Sequence, residues 1–434
     1  MAILGPCGRE GNWTGTGLPR YRIGMRRRLL ASILLGPMLA ACAAVRFDVP
    51  GAADEAGYRA AHPTYAEYCA LSQIKKKQGF GADIRGEIGG HAVFYLNGAC
   101  LVRDAHYPVL EACDAHDGGG DGVGLSMNAH FRNAKWVATP GRDFFFAGGL
   151  GPDVPVTRET YRGVAKEAQR LGVYDGVAFW PWVFEDKQAG WSDADWKYEV
   201  SIATDWAIAL GRGRYCARVP VTRAQMGRMI DFLNAENAPY REGRREFDWS
   251  IFNDNCIHLA HNALAAAGLW ERWPTERFLP IAVLDFPVPR NEFVNLMRRT
   301  NDAWMADPGA VYRDLAARSE LLSDGRLPTG PGALAEARGP QLANEVYETR
   351  LKMIFYDEPI LGSYQESFDR VFAEPRYLDA GANRLHFGAL ARAAVADRRP
   401  LLWWLSQAPY RGDPAGFALI YERFYALMDR LAAS

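Results

Sequence analysis

A cysteine stands where a helix would begin in the stretch FNDNCIHLAHNALAAAGLW, from Phe252 to Trp270. Cys256 follows Asp254 and Asn255, two residue types that cap helix N-termini, and an apolar run follows it. The partial positive charge of a helix N-terminus lowers the pKa of a thiol there, and the unpaired N–H groups face any anion that develops. The position therefore favours a nucleophilic cysteine. The alternative is a structural cysteine on the buried face of an alanine-rich helix.

A thiol nucleophile needs a base, and His91 is the candidate for that role. It follows two glycines and opens a run of β-branched and aromatic residues in GEIGGHAVFYLNGAC, which predicts a rigid strand. Asp104 and His106 come on the next strand or at its end, and either could fix the tautomer of the imidazole. Glu199 is a more distant choice. A histidine that only hydrogen-bonds at the end of a strand is the alternative for His91.

His258 and His261 raise a competing hypothesis, a zinc site shared with Cys256. On a helix the side chains of Cys256 and His258 point about 200° apart, which excludes a compact cage made by these three residues. The sequence has no second cluster of cysteine and histidine. We therefore expect no metal and no cofactor, and we expect Asn255 and His258 to support the oxyanion and the thiol.

The N-terminal part of the chain has the pattern of a secretory signal. The stretch MRRRLLASILLGPMLAACAAV begins at Met25 with three arginines, continues through an apolar segment and meets small residues before Cys42. The residues Leu39 to Cys42 resemble the bacterial lipobox, and this resemblance implies cleavage before Cys42 and acylation of its thiol. It implies a lipid-anchored protein of the cell envelope. The outer membrane, facing the periplasm, is favoured over the inner one because Ala43 is not the aspartate of retained lipoproteins.

The length of 434 residues is enough for two or three domains. The formal net charge of -1 gives no sign of a nucleic-acid partner, and we expect none. The predicted divisions are an over-long start (1–24), a signal peptide (25–41), a linker (42–65), a cysteine domain (66–285) and a helical region (286–434).

Export predicts disulfides among the cysteines, because thiols are paired in an oxidising compartment. Without Cys7 and Cys42, five cysteines remain, so at least one should stay unpaired. Cys100 and Cys113 are the best candidates for a disulfide, although Cys69 or Cys216 could replace either. Cys256 is the predicted free thiol.

Hydrophobic patterns predict both helices and strands before residue 285. Predicted strands are a hairpin in HAVFYLNGACLVRD, then KWVATP and RDFFFAG, and a pair bracketed by KYEVSIATDWAIALGRG and RYCARVPV. Predicted helices are PTYAEYCALSQIKKKQGFG, TRETYRGVAKEAQRLG and TRAQMGRMIDFLNAENA, the last with Thr222 as its N-cap. Later segments such as NEFVNLMRRTNDAWMA, ANEVYETRLKMIFY and FALIYERFYALMDRLAAS have helical spacing.

A strand-opening GGHAVFY, a long β-rich insertion and NDNCIHLAHNAL on a helix are similar to the circularly permuted papain-like superfamily. That group includes NlpC-type cell-wall peptidases and relatives of lecithin:retinol acyltransferase. The resemblance covers roughly residues 66 to 285 and rests on two short motifs. It implies Cys256 as the nucleophile and His91 as the base, and it leaves the third polar residue unassigned.

The expected fold is therefore α+β, with an antiparallel sheet, a nucleophile helix and a mostly helical C-terminal region. The resemblance and the envelope location together imply a thiol hydrolase that cleaves an amide bond in peptidoglycan stem peptides. One alternative is an acyltransferase or thioesterase acting on a lipid or another acyl-bearing substrate. Another is a scaffold or binding lipoprotein without catalysis.

Overall fold

The computed structural model of the chain has an antiparallel sheet at its centre, and it describes residues 55–80, 90–113, 122–275, 277, 288–302, 306–349 and 364–433. The strands are β1 (Tyr65–Leu71), β2 (His91–Asn97), β3 (Ala99–Leu101), β4 (Leu110–Ala112), β5 (Val123–Ser126), β6 (Val137–Pro140), β7 (Arg214–Pro220) and β8 (Leu334–Arg338). Six of them form one sheet in the order β6-β5-β2-β1-β7-β8, and β3 pairs with β4 separately. The predicted α+β class is confirmed.

The helices surround this sheet and fill the C-terminal part of the chain. They are α1 (Glu55–Ala61), α2 (Arg142–Ala147), α3 (Arg158–Arg170), α4 (Asp193–Ser201), α5 (Arg223–Arg241), α6 (Cys256–Ala266), α7 (Pro289–Asn301), α8 (Pro308–Arg313), α9 (Leu315–Asp324), α10 (Tyr364–Val371), α11 (Ala380–Ala396), α12 (Leu401–Leu405) and α13 (Pro414–Ala433). Reciprocal capping boxes start α3 at Thr157 and α5 at Thr222. The predicted N-cap at Thr222 is confirmed. No helix among the described residues is long and apolar enough to cross a membrane.

Strand β1 occupies a segment for which the sequence predicted a helix, and that prediction is wrong. The strand pairs with β2 on one side and β7 on the other, and all seven of its residues are buried. A strand buried on both faces lacks the alternation of polar and apolar residues that identifies strands from sequence. Its one charged residue, Glu67, is buried as well.

The predicted hairpin around Asn97 and Gly98 is also wrong. Strand β2 pairs with β1 and β5, whereas β3 leaves the sheet and pairs with β4. Gly98 has a φ of 111°, which turns the chain out of the central sheet. The predicted disulfide between Cys100 and Cys113 is present beside this small sheet.

Two further strand predictions fail where the chain forms helices. RDFFFAG forms α2, with Phe144, Phe145 and Phe146 all buried, and KYEVS lies within α4. A short, continuous apolar run is compatible with a buried strand or a buried helix, so the pattern alone did not separate them.

The C-terminal part is mostly helical, as predicted, and it also completes the sheet. Strand β8 pairs with β7 in antiparallel register. The helices pack on a second apolar cluster that includes Trp404, Phe417 and Phe424. Residues 343–349 are not helical although a helix was predicted there, and the rest of that segment lies outside the described residues.

The two faces of the sheet have different coverings. On one face Ala92, Phe94 and Leu96 of β2 belong to the main core, which includes residues of α5, α6 and α7. On the other, Val93 and Tyr95 pack with Phe145 of α2 and Tyr58 of α1. Since alternate residues of a strand face opposite sides, His91 belongs to the side of Val93.

A buried network of charges lies on the side of the sheet that carries Tyr95. The carboxylate of Glu67 pairs with the guanidinium groups of Arg142 and Arg218, and Arg218 also binds Glu336 at 2.6 Å. Beside it, a disulfide joins Cys69 of β1 to Cys216 of β7. Strands β1, β7 and β8 are thus linked by charge pairs, and β1 and β7 also by a covalent bond.

Candidate functional site

Helix α6 begins at Cys256, as the sequence predicted, because Asn255 caps it. The Oδ1 atom of Asn255 accepts hydrogen bonds from the N–H groups of Ile257 (2.9 Å) and His258 (3.3 Å). Its Nδ2 group donates to the carbonyl of Ile251 at 2.8 Å. Since both ends of the amide are occupied, Asn255 positions the helix rather than offering a donor to an oxyanion.

Cys256 is the free cysteine among the described residues. The other four described cysteines form the two disulfides, so the predicted free thiol is confirmed. Cys42, the predicted site of lipidation, lies outside the described residues, as does the whole of the predicted signal peptide.

The sulfur of Cys256 lies against strand β2. The backbone N–H groups of Ala92 and Ile257 and the nearby Arg212 guanidinium favour its thiolate. Burial nevertheless raises the pKa of Cys256 to about 11. The expected lowering of the thiol pKa is therefore wrong, because the desolvation of a thiolate exceeds the stabilisation from the helix N-terminus and its donors.

Arg212 is a buried cation beside this thiol. Its guanidinium donates to the carbonyls of Ala203 (2.6 Å) and Ser72 (2.7 Å) and lies 3.4 Å from Oγ1 of Thr204. Burial lowers the pKa of Arg212 to about 9, so it stays charged at neutral pH. It supplies a fixed positive potential near the sulfur of Cys256.

His91 is the first residue of β2, and the glycine before it has a structural reason. Gly90 has a φ of 83°, and a Cβ on it would lie 2.6 Å from the carbonyl oxygen of Leu71. Only glycine therefore lets β2 start beside β1 at this point. The His91 ring is buried, and its Nε2 atom lies 3.1 Å from Oγ of Ser126.

Ser126 ends β5 and links the imidazole to a carboxylate. Its hydroxyl donates to Oδ1 of Asp205 at 2.5 Å, so its oxygen accepts from His91. Nε2 of His91 is thereby bonded to Ser126, and the backbone of Thr204 also bonds the ring. Ser126 has the orienting role that the sequence assigned to Asp104 or His106.

Asp205 is fully buried and has several donors around it. Besides Ser126, the amide of Asn128 donates to it at 2.8 Å and the hydroxyl of Tyr174 also bonds to it. Burial raises the pKa of Asp205 to about 6, against the opposite effect of these hydrogen bonds. Burial lowers the pKa of His91 to about 4, so its ring is neutral at pH 7.

The side chains of Asp104 and His106 are exposed and do not reach this network. They lie at a short 3₁₀ turn, Arg103–Ala105, that follows β3 outside the central sheet. His106 has a φ of 46° and ends that turn. The prediction that one of them orients His91 is corrected, because the buried ring is bonded to Ser126 instead.

Helix α6 carries two histidines, His258 and His261, and each has partners of its own. His258 is buried, its Nδ1 atom lies 3.1 Å from Oδ1 of Asn255, and burial lowers the pKa of His258 to about 3. His261 pairs through Nδ1 with Glu292 at 2.7 Å. His258 thus packs beside the start of the helix, as expected, while His261 faces a different part of the molecule.

One group of the described residues has the spacing of metal ligands. It consists of Glu67 with Cys69 and Cys216, and these two cysteines form a disulfide. A thiol engaged in a disulfide is not a thiolate ligand, so this group does not fit a metal ion.

The thiol and the imidazole approach the same end of the sheet from different sides. Helix α6 lies on the face of Ala92, whereas the ring of His91 points with Ser126 to the other face. His91 is the first residue of β2 and Ser126 is the last of β5. The network therefore lies where these neighbouring strands begin and end.

Glu199, the more distant choice for a catalytic carboxylate, lies on α4 and is not part of this network. Burial raises its pKa, and Lys76 opposes that effect.

Three residues around the thiol and the imidazole were not predicted from the sequence: Ser126, Asp205 and Arg212. Serine and aspartate in loops carry no distinctive spacing, and only the folded sheet brings positions 91, 126 and 205 together.

No family model, no curated protein and no solved structure matches this chain. The fold and the site define an α+β protein with a thiol at the start of a helix on one face of the sheet and a buried Asp–Ser–His network on the other.

Proposed function

We propose that the protein is a thiol-dependent hydrolase of amide bonds, of the circularly permuted papain-like type. Cys256 is the nucleophile and His91 the base. The observation that carries the proposal is the position of Cys256 at the start of α6, packed against the core to which Ala92, the residue after His91, belongs.

Before substrate binds, the thiol of Cys256 and the imidazole of His91 are both neutral. The raised pKa of Cys256 and the lowered pKa of His91 both disfavour an ion pair before substrate binds. The sulfur attacks the carbonyl carbon as its proton passes to Nδ1 of His91, and the carbon–sulfur bond forms while the carbonyl π bond opens. The Cys256 N–H and the helix N-terminus stabilise the oxyanion.

The same imidazole completes the reaction. His91 gives its proton to the leaving amine, the carbon–nitrogen bond breaks, and a thioester remains on Cys256. Water then attacks the thioester carbon as His91 takes its proton. The carbon–sulfur bond breaks, His91 returns the proton to the sulfur, and a carboxylic acid and the free thiol result. Asp205 stabilises the imidazolium through Ser126, whose hydroxyl bonds to both.

The proposal requires the sulfur and Nδ1 to reach hydrogen-bond distance at the end of the sheet. Binding of a substrate at this end of the sheet is the event that aligns the pair, since catalytic hydrogen bonds tighten in the complex.

The substrate proposed is a peptidoglycan stem peptide. Its support is the signal pattern from Met25 and the lipobox-like residues before Cys42, which imply an anchored protein in the cell envelope. An outer-membrane lipid anchor at Cys42, facing the periplasm, would hold the thiol near the cell wall.

The experiment is incubation of the purified protein with peptidoglycan fragments and mass analysis of the products. We expect new amine and carboxyl ends with the wild type and none with Cys256→Ser. His106→Asn is a matched control outside the network and should keep the activity. Identical products from Cys256→Ser would overturn the proposal.

A transferase is the second candidate, favoured by the apolar packing of Cys256 against the main core. An apolar wall beside the thiol suits a fatty acyl chain. The same incubation with a lipid acyl donor and an amine acceptor separates the two, because a transferase gives an acylated acceptor instead of a free acid. Absence of both products would favour a binding protein without catalysis.

A further inference from the structure

A buried carboxylate lies where the C-terminal part of the chain packs on the end of α6. Glu320 of α9 is only 3% exposed, and a Cβ on Gly268 would lie 3.5 Å from the Cβ of Glu320. Gly268 comes directly after the C-cap of α6, and its φ of 90° ends that helix. Glu320 therefore faces the end of the same helix that begins at Cys256.

One side chain of α5, Gln225, joins the three helices at this contact. Its Nε2 group donates to Oε1 of Glu320 and to the carbonyl of Ala267, both at 2.9 Å. Its own Oε1 atom accepts the N–H of Thr222 at 2.8 Å, which fixes the orientation of the amide. Both N–H groups of the amide are thus used, and Gln225 has no further donor for the carboxylate.

The second oxygen of Glu320, Oε2, is buried and has no hydrogen-bond partner among the described residues. The carbonyl end of α6 beside it carries a partial negative charge, which disfavours a further negative charge. A buried carboxylate without a cationic partner is costly, whereas a neutral carboxyl group is not. The geometry of the contact therefore suits the protonated form of Glu320.

The charged groups around Glu320 do not compensate for its burial. Arg326 lines the same small cavity, and Arg299 of α7 also favours the carboxylate, but Arg299 is engaged by another carboxylate. Asp324, one turn further along α9, opposes ionisation, and it pairs with Arg228 of α5 at 2.7 Å. Burial has the largest effect and raises the pKa of Glu320 to about 7.

We propose that Glu320 is a pH-sensitive switch between the C-terminal part of the chain and α6. While Glu320 holds its proton, α9 packs closely on the end of α6. When the proton is lost, α9 separates from that end, because separation lets water reach the carboxylate. The switch requires no catalysis at Cys256 and does not depend on the proposed hydrolysis.

The first test is denaturant unfolding across pH, with Glu320→Gln as the permanently neutral variant. The folded protein keeps the proton of Glu320 between pH 4.5 and about 7, whereas the unfolded chain loses it near pH 4.5. Wild-type stability should therefore fall through this window relative to the variant. We expect the ratio of their folding equilibrium constants to change by on the order of 100-fold between pH 4.5 and pH 8. Glu422→Gln, an exposed glutamate of α13, is the matched control and should follow the wild type.

Hydrogen exchange distinguishes a switch from a buried acid that moves nothing. At the end of α6 the N–H of Leu269 bonds to the carbonyl of Leu264 at 3.1 Å, so opening there exposes a protected amide. After correction for intrinsic rates, wild-type peptides covering 264–270 and 315–324 should exchange at least about threefold faster at pH 8 than at pH 6. The same peptides of Glu320→Gln should not. Equal corrected rates at the two pH values in the wild type, the same acceleration in Glu320→Gln, or a constant ratio of equilibrium constants would each overturn the proposal.

Discussion

The hydroxyl of Ser126 lies 3.1 Å from Nε2 of His91, and it joins that ring to the buried carboxylate of Asp205. The three groups come from β2, from β5 and from the segment before β7, so the network exists only when the sheet is assembled.

Ser126→Ala should lower the hydrolytic activity by at least about tenfold, because it removes the group that fixes the tautomer of His91. Thr139→Ala is the matched control: Thr139 is also buried, and its hydroxyl bonds the backbone carbonyl of Asp205 at 3.1 Å rather than the ring. Rates and thermal unfolding of both variants are measured. Equal losses of activity would show that Ser126 acts only through stability.

Asp104→Asn and His106→Asn should leave the activity and its pH profile unchanged. Both side chains are exposed on the turn after β3, while the ring of His91 is buried and bonded elsewhere. Steady-state rates across pH give the comparison. A large loss in either variant would restore the original sequence hypothesis for the third residue.

Removal of the Cys69–Cys216 disulfide should destabilise the fold more than removal of Cys100–Cys113. The first bond spans 147 positions and the second 13. The chain-entropy relation gives about 5 kcal/mol for the longer loop and about 3 kcal/mol for the shorter. Reversible denaturant unfolding of the two double alanine variants measures the difference, and a reversed order would contradict it.

Glu67→Gln should lower the free energy of unfolding by about 3 to 5 kcal/mol at pH 7, because it leaves Arg142 and Arg218 without their buried partner. The arginines lower the pKa of Glu67 to about 2, against the effect of burial. Its stabilisation is thus present above pH 4.5 and is lost as the pH falls towards 2. Glu167→Gln, an exposed pair with Arg170, should change stability by less than about 1 kcal/mol.

The pH dependence of the free energy of unfolding also distinguishes the wild type from Glu67→Gln. Wild-type stability should fall more steeply between pH 4.5 and 2 than that of Glu67→Gln. Parallel curves for the two proteins would contradict the assigned shift of Glu67.

Local rules predicted the N-cap of α5 at Thr222, and for α6 they gave Asp254 and Asn255 as the two candidate N-caps. Thr222 and Asn255 are N-caps in the structure because their side chains bond to N–H groups two or three residues later, within reach of a local pattern. The odd number of remaining cysteines predicted a free thiol, which is Cys256. The short separation of Cys100 and Cys113 along the chain favoured their disulfide.

Long-range relationships account for the failures. The burial of β1 depends on β2 and β7 lying on both sides of it, and β8 comes from a segment more than a hundred positions after β7. Ser126 and Asp205 have no spacing that marks them, since their contact joins positions 79 apart. The raised pKa of Cys256 likewise depends on how the folded chain surrounds its partly buried side chain, which the helix pattern does not show.

The most direct test of the central claim is acylation of Cys256 by an activated ester, followed by intact mass and peptide mapping. The account predicts one acyl group on Cys256 in the native wild type and acylation at least about a hundredfold slower in His91→Ala. Equal acylation rates in the two proteins, or labelling of Cys256 only after unfolding, would contradict the assignment of this thiol and this imidazole to one catalytic pair.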